Sequence, residues 1–134
     1  MATTENLDTK RKDLVLAAEK VIRDAFVSGR RLLLKKTQLN HLIGICGEAT
    51  CVEEIENFLR YQAGRGSDKT GWDVALVQSV IAAVTPVLAQ LNDATKLAAW
   101  RLYAVYLTRS FTYESECRKS DGGRDRKPWM EQDR

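Results

Sequence analysis

Few residues in this chain are of the types that do chemistry. It holds one histidine and three cysteines, and His41, Cys46 and Cys51 form a His-x4-Cys-x4-Cys line. Zinc takes four ligands, usually in close pairs two to four residues apart. This line has no Cys-x2-Cys pair and no evident fourth ligand, so no metal is expected. A nucleophilic Cys–His pair needs both groups on one face. Five positions along a helix do not supply that, and a small enzyme using His41 and Cys46 ranks last among the readings. Lys69-Thr70 ends a glycine-containing loop, as a phosphate-binding loop does. That pattern needs a glycine directly before the lysine and another five residues earlier, where this chain has Asp68 and Ala63. Glu53, Glu54 and Glu56 stand at a helix start, where the backbone dipole favours negative charge, and read as structural. No catalytic residue, metal or cofactor is expected, and the protein is not expected to be an enzyme.

What remains is positive charge, gathered in segments. Arg30, Arg31, Lys35 and Lys36 flank three leucines in a run without an acid. Arg60, Arg65 and Lys69 surround the end of a later helix. Arg101 and Arg109, eight residues apart and near two turns, are expected to share a face of the last helix. If these segments converge, they make a groove for a phosphate backbone. Arginine presents a planar fork that suits phosphate, whereas lysine is a point charge. Gln38 adds a donor for a phosphate or a 2′-hydroxyl. Tyr61 and Trp72 stand beside these charges, either as stacking platforms for bases or as core residues. Tyr61 and Arg65 are four apart on a helix and share a face, as partners in binding or as a structural cation–π contact.

The elements that must position these residues are helical. The chain has 134 residues, 44% hydrophobic and 29% charged, with only two prolines. That is one domain's worth of sequence, and an all-α, single-domain bundle of five or six helices over residues 1–118 is expected. Net charge is only +3, from 21 basic and 18 acidic residues, so placement rather than excess carries the argument. Three scattered cysteines fit a reducing compartment. Met1–Asp13 has no apolar signal core, and a cytoplasmic protein is expected. Val74–Asn92 is uncharged, but Gln78, Ser79, Thr85, Gln90 and Pro86 interrupt it. A helix buried by its neighbours, with no membrane span, is the better reading.

Periodicity predicts the first helix over about Asn6–Ser28, with Gly29 as its stop. A short second helix covers Thr37–Gly47, where Gly44 and Gly47 weaken it or admit a close neighbour. Thr50-Cys51-Val52-Glu53 has capping-box form, with Glu53 reaching back, and opens a third helix that Gly64 ends. Residues Gly64–Gly71 form a loop. Thr70 or Gly71 then caps a fourth helix that runs to Thr85, and Pro86 kinks it or starts a continuation. The last helix spans about Ala94–Arg118. Residues 119–134 are expected to be a charged, disordered tail.

The run Leu34-Lys-Lys-Thr-Gln-Leu39, then about twenty residues, then Phe58-Leu-Arg-Tyr-Gln-Ala-Gly-Arg65 resembles the small helical subunit of type III CRISPR RNA-guided effector complexes. Thr37, Gln38 and Leu39 match an element on an early helix. Tyr61, Gly64 and Arg65 match a Tyr-Ala-x-Gly-Arg-like element that ends a later one, with Gly64 as a cap that aims Arg65. Trp100–Tyr113 matches an aromatic-rich last helix loosely. The family's basic residue after Gln-Leu is Asn40 here, which leaves His41, Lys35 or Lys36 to take its place. The resemblance implies a bundle without catalytic activity that contacts guide and target RNA and the large and backbone subunits of an antiviral ribonucleoprotein. It also implies self-association into a short filament along the guide–target duplex. The resulting RNA-binding set is Arg30, Arg31, Lys35, Lys36, Gln38, Arg60, Tyr61, Arg65, Lys69, Arg101 and Arg109. The alternative is a protein-interaction module without RNA contact, docking through Trp100, Tyr103 and Tyr106.

Overall fold

A computed structural model describes residues 6–29 and 31–126, with side chains described as far as residue 119. The chain folds into a single helical bundle, and no strand occurs among the described residues. The described residues form six helices, α1 (Leu7–Val27), α2 (Lys36–Glu48), α3 (Val52–Gly64), α4 (Ser67–Thr70), α5 (Val74–Leu88) and α6 (Asp93–Arg126). The longest, α6, is the spine. Helices α1 and α2 pack along it, while α5 packs against α1 and α3. No helix among the described residues is long and apolar enough to cross a membrane.

Side-chain caps set several of these boundaries. Asn6 Oδ1 accepts the Thr9 N–H at 3.2 Å and starts α1. Gly29, at φ +85°, turns the chain after it. Asp73 Oδ1 accepts the Leu76 N–H at 2.7 Å and starts α5, so the cap is Asp73 rather than Thr70 or Gly71. Asn92 Oδ1 accepts the Thr95 N–H at 2.8 Å and starts α6.

The expected capping box of α3 does not form: the N-cap side chain makes no hydrogen bond, and only a carboxylate's reach-back is present, one residue later than expected. Cys51 is the N-cap, and the carboxylate that reaches back belongs to Glu54, not Glu53. Glu54 Oε1 accepts the Thr50 N–H at 2.6 Å and the Thr50 hydroxyl at 3.0 Å. Those two bonds, the N–H first, hold the Glu54 carboxyl below its ordinary pKa. At the other end of α3, Gly64 is the last helical residue and Arg65 is its cap. The turn falls at Gly66, with φ +104°. The helix thus ends at Gly64 as expected, but the positive-φ turn that requires glycine comes two residues later, at Gly66.

Helix α5 continues through Pro86 to Leu88, and the Thr85 hydroxyl bonds the Ile81 carbonyl oxygen at 2.7 Å. Helix α6 extends past its expected end at Arg118, through Gly122 and Gly123, to Arg126. The rest of the expected tail, residues 127–134, lies outside the described residues.

Three aromatic side chains anchor the core. Trp72, Trp100 and Tyr103 are each 1% exposed or less. The Tyr103 hydroxyl donates to the Val80 carbonyl oxygen at 2.7 Å, which ties α6 to α5. Trp100 meets Tyr103 edge-on, with ring centroids 5.4 Å apart. Phe26 of α1 meets Phe111 of α6 at 5.6 Å, and the Arg118 guanidinium lies over the same Phe26 ring.

Candidate nucleic-acid interface

One junction brings two of the basic segments together. Thr70 is buried at the end of α4, and its hydroxyl donates to the Gln62 carbonyl oxygen of α3 at 2.8 Å. The Thr70 hydroxyl oxygen in turn accepts the Trp72 N–H at 3.2 Å. These bonds fold α4 back on the end of α3 and drive Trp72 into the core. Gly71, at φ +82°, then passes directly under the connector between α1 and α2. A Cβ on Gly71 would lie 3.0 Å from Leu34 Cα, 3.1 Å from the Leu33 carbonyl oxygen and 3.3 Å from Gln38 Oε1. Only glycine fits, for its sign of φ and for its lack of a side chain.

The connector lies against α4 as a result. Leu34 buries its side chain, while Arg31, Lys35 and Lys36 stay exposed beside it. The Lys35 N–H donates to Gln38 Oε1 at 3.0 Å, so the Gln38 side chain helps to start α2 and has only its NH2 group left for a ligand. Arg65 and Lys69 are exposed on the other side of the junction. Among the described residues, none of these five cations has a carboxylate within ion-pair distance. Tyr61 is 62% exposed, and the Arg65 guanidinium carbon lies 5.8 Å from the centre of its ring. A charged fork and a free aromatic face are therefore presented together.

The remaining candidates lie elsewhere. Arg30 is outside the described residues. Arg60 is exposed on α3 and paired loosely with Glu56 at 3.7 Å. Arg101 sits beside the end of α2, where a Cβ on Gly47 would be 3.9 Å from its Nε. Gly47 is eleven residues from Lys36, which is about 17 Å along the α2 axis. Arg109 lines a groove of about 350 Å³ with Glu19 and Arg23 of α1, and its guanidinium carbon lies 5.9 Å from the Tyr106 ring centre. Arg101 and Arg109 thus face different neighbours. Eight residues are 800° of helix, which leaves about 80° between the two side chains.

Trp72 is a core residue and offers no surface to a base. The docking surface read into Trp100, Tyr103 and Tyr106 is not exposed either, since the first two are fully buried and Tyr106 is half-buried. Arg23 was not singled out in the sequence; a polar residue on the wet face of α1 carries no sign that α6 brings an arginine beside it.

The nucleophile and metal candidates separate as well. His41 is exposed and packs edge-on to Phe58, with ring centroids 5.6 Å apart. Cys46 is buried, and burial pushes its thiol up to about 12 against a smaller downward pull from Arg101. It is a neutral core thiol at physiological pH. Among the described residues, no three His, Cys, Asp or Glu side chains gather as a metal site would need.

No family model matches this chain, and no curated protein or solved structure matches it either. The function has to be read from the residues themselves.

Proposed function

We propose that this protein is a non-catalytic, RNA-binding subunit of a cytoplasmic ribonucleoprotein, and that it holds the RNA backbone at the end where the α1–α2 connector meets α4. The observation that carries this reading is the Gly71 junction. It brings the connector that carries Arg31, Lys35 and Lys36 against the turn that follows Arg65 and Lys69, and all five are exposed and without an ion pair among the described residues. Such a surface holds phosphates and reads no base edges, because backbone contacts give register and affinity but no sequence information. Tyr61 adds a stacking face for one unpaired base. The reading narrows to the small subunit of a type III CRISPR effector on the two matching runs. Leu34–Leu39 and Phe58–Arg65 are distant in sequence, yet both border the α4 turn, through Gln38 at Gly71 and through Gln62 at Thr70.

Purification from the native host under low salt tests this reading. The expected result is co-purification with short RNAs and with large protein subunits, and loss of the RNA on washing with high salt. Recovery of the chain alone, or with proteins but without RNA, would contradict it.

A further inference from the structure

The seam between α2 and α3 carries rings that lead away from the basic end. Phe58, Tyr61 and Arg65 stand three and four positions apart on α3, so they lie on one face of it. Tyr61 and Arg65 are exposed, with the guanidinium over the ring. Phe58 is half-buried, and His41 of α2 crosses the seam to meet it, with ring centroids 5.6 Å apart and an interplanar angle of 78°. Phe58 backs the His41 ring and leaves it exposed. Gln38, whose side chain lies against Gly71, is three positions before His41 on the same side of α2. The seam is therefore continuous with the junction where the connector meets α4.

Charge changes sign along this seam. At the junction, five exposed cations outweigh the acids Asp68 and Asp73. At the far end stand Glu48 of α2, seven positions after His41, and Glu54 of α3, four positions before Phe58. Both are exposed, and Glu54 is held at Thr50. An anionic strand that runs from the junction passes Tyr61, then His41 and Phe58, and meets like charge beyond them. Phe58 and Tyr61 are about 4.5 Å apart along the α3 axis, close to the ~3.4 Å between successive nucleotides of a stacked strand. We propose that His41, backed by Phe58, is a second stacking platform beside Tyr61, and that the basic end takes a single strand with two consecutive unpaired bases. This rests on the RNA reading of that end and adds the class of RNA it holds. A duplex keeps its bases inside and offers the rings nothing to stack on, whereas a single strand can splay them out. Every base has a face to stack, so no sequence preference accompanies the contact.

Fluorescence anisotropy on the full chain tests this, with a mixed-sequence RNA single strand and an RNA duplex of the same length as probes. The readout is the ratio of single-strand to duplex affinity, in which a change of charge common to both largely cancels. His41→Ala and His41→Lys should each lower that ratio at least about fivefold, because neither keeps a ring. His41→Phe keeps one and should hold the ratio within about twofold of the wild type. Helical content should be unchanged in all three, since His41 is exposed. A wild-type chain that binds neither probe would overturn the RNA reading itself, and this inference with it. A wild type that binds with steep salt dependence, beside an unchanged ratio in His41→Ala or His41→Lys or a lowered one in His41→Phe, would overturn the stacking role alone.

Discussion

Gly71 lies against Leu34 so closely that a Cβ on Gly71 would stand 3.0 Å from the Leu34 Cα. Two segments that are 37 positions apart in sequence meet at this point, and both carry unpaired cations. The backbone at Gly71 is left-handed, at φ +82°, so the contact and the conformation exclude every other residue together.

Gly71→Ala should therefore destabilise the fold by about 1–3 kcal/mol, the usual cost of a strained backbone position. It should also weaken RNA binding, because the connector must move away from α4. Urea unfolding and RNA titration of the same preparation check both effects. Unchanged stability would mean that the approach is not tight.

Tyr61 and Trp72 separate stacking from packing. Tyr61→Ala removes an exposed ring, so stability should stay within about 0.5 kcal/mol of the wild type. Binding of single-stranded RNA should fall by about 1–3 kcal/mol if a base stacks there. Trp72→Ala should cost about 3–5 kcal/mol of stability, as for a large core side chain. Thermal unfolding beside fluorescence binding assays distinguishes the two residues.

The helical architecture was largely legible in the sequence, because apolar residues three and four apart mark each buried face. Glu53 shows where such reading stops. Two acids, Glu53 and Glu54, lie in the first turn of α3, and either could reach back to its start; the backbone selects Glu54 by placing Cys51 at the cap. Arg101 and Arg109 show a second limit. Eight residues are near two turns but not equal to them, and the residual rotation is enough to send the side chains to different neighbours. The meeting of the connector with α4 was not legible at all. It depends on a close approach at Gly71, which sequence shows only as one more glycine in a loop.

Glu54→Ala should loosen the first turn of α3, seen as faster amide exchange at Thr50 and in that turn. Glu53→Ala should have a much smaller effect there. The Glu54 carboxyl is held below its ordinary pKa. Its contribution is therefore present above the unfolded pKa and is lost as pH falls through the folded one. Equal effects of the two variants would contradict the Glu54 cap.

Cys46 predicts an alkaline limit. An unfolded chain ionises this thiol near the ordinary value of 9.0, whereas the folded chain keeps its proton up to about 12. The unfolded state then binds fewer protons, so stability falls as pH rises through that window and is unaffected below it. The slope from this group is at most about 1.4 kcal/mol per pH unit. Urea midpoints from pH 8 to 11 should show the fall, and Cys46→Ala should make it shallower, the remainder near pH 10–11 coming from the Tyr103 hydroxyl, which burial also pushes up from its ordinary value of 10.0. The same fall in both proteins would show that Cys46 does not cause it.

The most direct test of the basic end is a salt series of single-stranded RNA binding, read by fluorescence anisotropy. Each phosphate neutralised on a single strand contributes about −0.7 to the log–log slope, so five engaged cations predict a slope of about −3.5. The Lys35→Ala/Lys69→Ala double variant should make that slope shallower by about 1.4. A slope near zero, or a wild-type slope in the double variant, would contradict the account.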